Sequence, residues 1–188
     1  MAHILLLHAV RGLRDLERQT AERMSAEGHE VQTPDLFGGV VPATLKDGLA
    51  LEESLWPEPL IGRAQAAADR LPAEAVLAGF SMGAALAAEI WADRPGTAGL
   101  LLLHGIGMPT RPVCPGTPVQ AHLAEPDPHV PEPWVADCAP AMTAAQAEAE
   151  VLRYPGVGHL FTDPSIDDFD TEAAALLWNR ATAFLAPL

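Results

Sequence analysis

The chain has 188 residues, 49% of them hydrophobic, which fits a single domain, residues 1–188, with a sizeable core. Twenty-five acidic side chains against 11 basic ones give a formal charge of −14, so there is no electrostatic footprint for nucleic acid or an anionic membrane surface. Residues 1–8 lack a basic flank and form too short an apolar run for a signal peptide or membrane span.

Residues 4–7, Ile-Leu-Leu-Leu, read as a strand buried on both faces of a parallel sheet. Leu13, Leu16, Thr20 and Met24 form a helical stripe that predicts a helix over 13–27, closed by Gly28. A short second strand follows at 29–33. Residues 37–59 carry glycines, prolines and only a weak helical pattern around 45–55, and read as a loop over the site. An alanine-rich helix is expected over 60–71, then a strand at 75–80, and from the serine that follows a helix that stops at Arg94 before Pro95. The apolar run 99–103 is another strand. Between Pro109 and Pro133 the chain is too rich in proline for regular structure apart from a strand at 119–123. A helix at 134–147, a last strand at 150–154 and a final helix at 171–185 complete the pattern. Strands alternating with helices imply an α/β fold, a mainly parallel sheet with helices on both faces and no large lid domain. Ligands of such sheets bind at the carboxyl ends of the strands. His8, Ser81, His104, Asp127 and His159 all fall just beyond strand candidates.

The richest motif is Gly79-Phe80-Ser81-Met82-Gly83, set between a strand and a helix. A serine on that tight turn projects its hydroxyl, the glycines give clearance where backbones converge, and the helix turns its free N–H groups toward the serine. Ser81 is therefore the candidate nucleophile and the Met82 amide a candidate oxyanion donor. A serine needs a base, and the base needs an acceptor that fixes its tautomer. His159, on the glycine-rich loop after the last strand, is the candidate base; His8, His104 and His129 are its rivals, while His3, His29 and His122 read as structural. Asp127, between Pro126 and Pro128, is the candidate acid with Glu125 in reserve. Cys114 and Cys138 have no C-x-x-C or metal spacing and read as reduced thiols of a cytoplasmic protein. No metal or cofactor is implied.

The segments LLLHAVRGLR, EGHEVQTPDLFGG, AGFSMGAALA, VQAHLAEPDPHVP and YPGVGHLF, in this order, resemble the dienelactone hydrolase family of α/β hydrolases over nearly the whole chain. The resemblance implies Ser81, Asp127 and His159 as nucleophile, acid and base, and the Val10 amide as the second oxyanion donor. Three positions depart from the members that open dienelactone itself. Ser81 stands where those have cysteine, Ala9 where they have a glutamate, and Asp163 where they have the arginine that binds the substrate carboxylate. The expectation is a metal-free serine hydrolase that cleaves a small ester, lactone or thioester through an acyl-enzyme, with a neutral substrate because Asp163 and its acidic neighbours would repel an anion. The alternative is a ligand-binding or scaffold protein that kept the fold without turnover.

Overall fold

The computed structural model describes all residues, Met1–Leu188. Its strands are β1 (His3–Leu7), β2 (Glu30–Gln32), β3 (Val76–Phe80), β4 (Leu100–Leu103), β5 (Pro118–Glu125) and β6 (Glu148–Pro155). Its helices are α1 (Asp15–Ala26), α2 (Leu45–Leu55), α3 (Glu58–Ala68), α4 (Met82–Trp91), α5 (Glu132–Ala144) and α6 (Thr171–Leu185). The strands form one six-stranded sheet in the order β2-β1-β3-β4-β5-β6, and every neighbouring pair is parallel.

Strand periodicity divides the core in two. Leu5, Leu7, Leu77, Leu100 and Leu102 face α3, α4 and α5 together with Leu60, Leu86 and Met142. The residues between them, Ile4, Leu6, Val76, Phe80, Leu101 and Leu103, face α1 and α6 together with Leu16, Met24 and Leu177. That is why the central strands read as unbroken apolar runs: both faces are covered. Each of the four β4 leucines is fully buried, and burial of such a side chain stabilises by about 1.5–3 kcal/mol. The register Leu7↔Gly79 and Phe80↔Leu103 aligns the carboxyl ends of β1, β3 and β4, so that the segments after them emerge side by side.

One expectation is overturned. Residues 37–59 are not an irregular loop, for α2 occupies 45–55 and α3 begins at Glu58. Helix α2 is capped by Thr44, whose hydroxyl accepts the Asp47 N–H at 3.1 Å and donates to the Asp47 carboxylate at 2.7 Å. Its interior Gly48 lies against the Val10 carbonyl, where a Cβ would collide. The residue that weakens the helical pattern is thus the one that lets the helix seat on the loop after β1. Helix α5 also starts earlier than expected, at Glu132, with Pro133 in the first turn, where its missing N–H costs nothing. Strand β5 runs on to Glu125, and β6 spans Glu148–Pro155 rather than 150–154.

Candidate active site

Ser81 stands between β3 and α4 with φ 50° and ψ −109°, a conformation that side-chain-bearing residues seldom adopt. Its surroundings hold it there. The Ser81 N–H donates to the Leu103 carbonyl at 2.8 Å, and its own carbonyl accepts from Ala84 at 2.9 Å and Ala85 at 3.2 Å. A Cβ on Gly79 would run into the Gly83 backbone, and one on Gly83 into the carbonyls of Leu7 and His8. Helix α4 can therefore start only because both positions are glycine, and its first turn lies directly against the end of β1.

His159 follows β6 and reaches back over this turn. Its Nε2 accepts from the Ser81 hydroxyl at 2.9 Å, and its Nδ1–H donates to Asp127 Oδ2 at 2.7 Å. Asp127 lies just beyond β5, and its other oxygen accepts the His129 N–H at 2.8 Å. The Asp127 side chain is only 2% exposed. Burial pushes its carboxyl up, yet the hydrogen bond and charge of His159, with the His129 amide and ring, hold it below the ordinary carboxylate value. The three side chains thus form one relay, with the proton of His159 on the nitrogen that faces the acid.

Two backbone amides of residues beside the same cavity lack a partner within the chain. Met82 opens α4, so its N–H has no preceding helical turn to donate to. The Val10 N–H donates to nothing within the chain. Val10, Met82 and Ser81 all line one cavity of about 340 Å³. Leu45 and Leu49 of α2 form one wall and Val130, Trp134 and Leu160 another; Arg11, Glu52 and Asp168 are its formally charged residues. Burial raises the Glu52 carboxyl above its ordinary value.

The rival residues lie elsewhere or act otherwise. Glu125 points outward to Arg153 at 3.2 Å and makes no bond to His159. His8 is fully buried among backbone groups. His104 is also fully buried and its ring nitrogen Nε2 lies 2.7 Å from the Thr162 hydroxyl; burial, and then the neighbouring His159 and His122, push it well below the ordinary histidine value. His129 shares the cavity, its ring centroid 4.8 Å from that of His159. His122 bonds Tyr154 at 2.8 Å and Gln120 at 2.9 Å, away from Ser81. His29 accepts the Ala2 N–H at 3.2 Å, and His3 lies 3.0 Å from Glu30.

Asp163 does not stand where the comparison of positions put it. Its carboxylate accepts from Arg14 at 2.6 Å, from the Ser165 amide at 3.0 Å and from the Ser165 hydroxyl at 2.6 Å, and it is absent from the cavity wall. The chain turns at 160–163, where the Asp163 N–H donates to the Leu160 carbonyl at 2.8 Å, and this carries the side chain toward α1. Asp163 is therefore not placed to repel an anion in the cavity. Other contributors had a weaker signal in the sequence or none. Asp168, in the cavity, braces the histidine loop by accepting the Leu160 N–H at 3.1 Å. Buried Glu17 accepts the N–H groups of Ala9 at 3.4 Å and Arg14 at 2.9 Å. The α2 wall had only a weak helical pattern around 45–55 to announce it, and the Thr44–Asp47 spacing is the further signal that marks its start.

A parallel sheet with helices on both faces, and a serine on the strand-to-helix elbow at its carboxyl edge, define an α/β hydrolase. A family model described as the dienelactone hydrolase family matches residues 1–188, and the chain belongs to that family of ester-cleaving hydrolases. No curated protein matches the sequence significantly. Among solved structures, the fold is similar to that of a dienelactone hydrolase-like promiscuous phosphotriesterase from metagenomic libraries, with TM-score 0.84, 17% identity, and coverage of 100% of this chain and 87% of that one. It is also similar to a Klebsiella pneumoniae protein with the provisional assignment of dienelactone hydrolase, with TM-score 0.82, 20% identity and coverage of 100% and 88%. A third similar structure is an esterase, PE8, with TM-score 0.66, 19% identity and coverage of 99% and 92%.

Proposed function

We propose that this chain is a serine esterase that cleaves a small neutral ester, lactone or thioester through an acyl-enzyme. The observation that carries the reading is the unbroken relay from Asp127 through His159 to Ser81, at 2.7 and 2.9 Å, opening on a cavity with two free amides. His159 Nε2 takes the Ser81 proton as Oγ attacks the carbonyl carbon, and the carbonyl electrons move onto oxygen. The Val10 and Met82 N–H groups donate to that oxyanion. His159 then gives its proton to the leaving oxygen or sulfur, the bond breaks, and an acyl-serine remains. Water, deprotonated by His159, releases the acid and restores Ser81. Throughout, Asp127 holds the proton on Nδ1 and stabilises the imidazolium.

Neutral substrates fit the cavity. Its walls are mainly apolar, and its single guanidinium, Arg11, is outnumbered by the carboxyl groups of Glu52 and Asp168. The free thiols Cys114 and Cys138 accord with a cytoplasmic setting. The similar structures include an esterase and a promiscuous phosphotriesterase, which accords with hydrolysis as the reaction class. The test is labelling with a fluorophosphonate probe and peptide mapping: Ser81 carries the label, and Ser81→Ala abolishes it together with p-nitrophenyl acetate turnover. A folded Ser81→Ala protein that hydrolyses the ester at the parent rate overturns the reading, and an unlabelled parent favours a binding protein.

A further inference from the structure

The first oxyanion amide belongs to a loop residue, and a loop amide must be aimed by something. His8 is fully buried at the end of β1. Its Nε2 accepts the Leu36 N–H at 2.9 Å and its Nδ1 lies 2.7 Å from the Ala9 carbonyl. The first partner can only donate and the second can only accept, so the ring is neutral with its single proton on Nδ1. The nearest Asp35 oxygen, 3.9 Å from Nε2, is beyond hydrogen-bond range. Burial favours the same neutral ring.

The Ala9 carbonyl receives two donors, His8 Nδ1–H and the Gly12 N–H at 3.0 Å, the latter closing a tight turn in which Gly12 has φ 82°. Ala9 C=O and Val10 N–H are the two polar ends of one planar trans peptide and point in opposite directions. Pinning the oxygen on one side therefore aims the Val10 N–H to the other. That N–H has no partner in the chain, and Val10 lines the cavity beside Ser81. Donation to the carbonyl also polarises the peptide and makes its N–H a stronger donor.

We propose that His8 is a positioning residue for acyl transfer: through the Ala9–Val10 peptide it aims and polarises the Val10 amide at the oxyanion, while Leu36 fixes the tautomer that lets it do so. This rests on the serine-esterase reading above, because an oxyanion must form for the aim of the amide to matter.

A matched pair of variants separates the two ends of the ring. His8→Asn keeps a donor near the Nδ1 position and gives up the Leu36 contact, whereas His8→Gln keeps an acceptor near the Nε2 position and gives up the donor to Ala9. Loss of a whole oxyanion donor costs about 10²–10³-fold in kcat, so mis-aiming one is expected to cost about 10- to 100-fold. For p-nitrophenyl acetate, His8→Gln should lower kcat by that factor with little change in KM, and weaken a trifluoromethyl ketone inhibitor to a similar extent. His8→Asn should recover most of both. Equal losses in the two variants at matched melting temperature, or a folded His8→Gln protein with parent kcat, overturn the proposal. Nitrogen-15 NMR of the imidazole in the parent protein provides a test that needs no variant: the Nδ1–H form is expected, and an Nε2–H form overturns it. If Ser81→Ala abolishes turnover while His8→Gln leaves it intact, only this inference falls; if Ser81→Ala still turns over, the esterase reading falls first.

Discussion

Replacing Asp127 with asparagine tests the relay at its least exposed member. The new side chain has nearly the same shape and keeps an oxygen for the His129 N–H, now 2.8 Å from Oδ1, so the loop after β5 has no steric reason to move. What changes is the group facing His159. An amide NH₂ in place of Oδ2, 2.7 Å from Nδ1, favours the ring tautomer with its proton on Nε2, and a protonated Nε2 cannot accept from Ser81. The charge is lost as well. For unit charges about 4 Å apart at an effective dielectric constant of about 20, the carboxylate stabilises the imidazolium by about 4 kcal/mol. That alone corresponds to about 10³-fold in rate, and tautomer reversal brings the expected loss to about 10⁴-fold in kcat.

The assay is kcat and KM for p-nitrophenyl acetate near neutral pH, with a melting curve for each protein. Asp127→Asn should lose about four decades in kcat, with a melting temperature close to the parent's. Glu125→Gln should stay near the parent rate, since Glu125 pairs with Arg153 on the outer surface. A loss of less than ten-fold in a folded Asp127→Asn protein would refute the claim that Asp127 governs the state of His159, and a large loss in Glu125→Gln would move that role to Glu125.

Asp163→Ala should lower stability by about 3 kcal/mol, because it strands the partly buried Arg14 guanidinium; a melting-temperature drop of about 6–12 °C checks it. The ratio of kcat/KM between a neutral and a carboxylate-bearing ester should not change in Asp163→Asn, and a shifted ratio would return Asp163 to the cavity. In Glu52→Gln, by contrast, the anionic ester should gain about three- to five-fold over the neutral one at low salt and lose the gain at high salt; no change at any salt would show that this carboxyl does not meet the substrate. Acid should weaken the fold through the buried histidines. His122 is held at about 3 against an ordinary 6.5, first by burial and then by the Arg180 charge, and burial likewise lowers His8 and His104. A folded value below the unfolded one means that the unfolded chain binds more protons, so the stability present above 6.5 is lost as pH falls toward 3, by up to about 1.4 kcal/mol per pH unit for each such group. A melting temperature that stays flat from about pH 7 to pH 4.5 would refute this.

The fold class was legible because burial on both faces leaves a local mark: Ile4–Leu7 and Leu100–Leu103 are continuous apolar runs, and helical stripes stand between such runs. The elbow that carries Ser81 was legible because it depends on the residues adjoining it in sequence, Gly79 and Gly83. Helix α2 was less so, because Gly48 sits where continuous helix propensity would have marked it, and that glycine answers to a contact with Val10 nearly forty positions away. Asp163 shows the opposite hazard. It lies four positions beyond His159, yet one turn of chain is enough to swing its carboxylate to Arg14. Only the fold tells which neighbours in sequence share a cavity. The interactions of His8 escaped for a related reason, since its ring joins two backbone segments, at Ala9 and Leu36, that no residue spacing connects.

The parts that would perform the chemistry and the parts that would choose the substrate come from different layers. Ser81, the Val10 and Met82 amides, Asp127 and His159 all sit at or just beyond the ends of parallel strands, where backbones approach closely: Gly83 admits no Cβ against Leu7 and His8, and Gly48 none against Val10. A shift of one such backbone would move the others, so geometry there is set collectively. The cavity's outer rim instead takes side chains from α2 and α5, where Leu49 and Trp134 line it and are 42% and 57% exposed. Exposed side chains on helix surfaces can be exchanged at small cost, usually within about 0.5 kcal/mol. It follows that substitutions at Leu49, Glu52 and Trp134 can redirect which ester enters without disturbing the relay, whereas substitutions beside Val10 or Ser81 will alter the rate for every ester together.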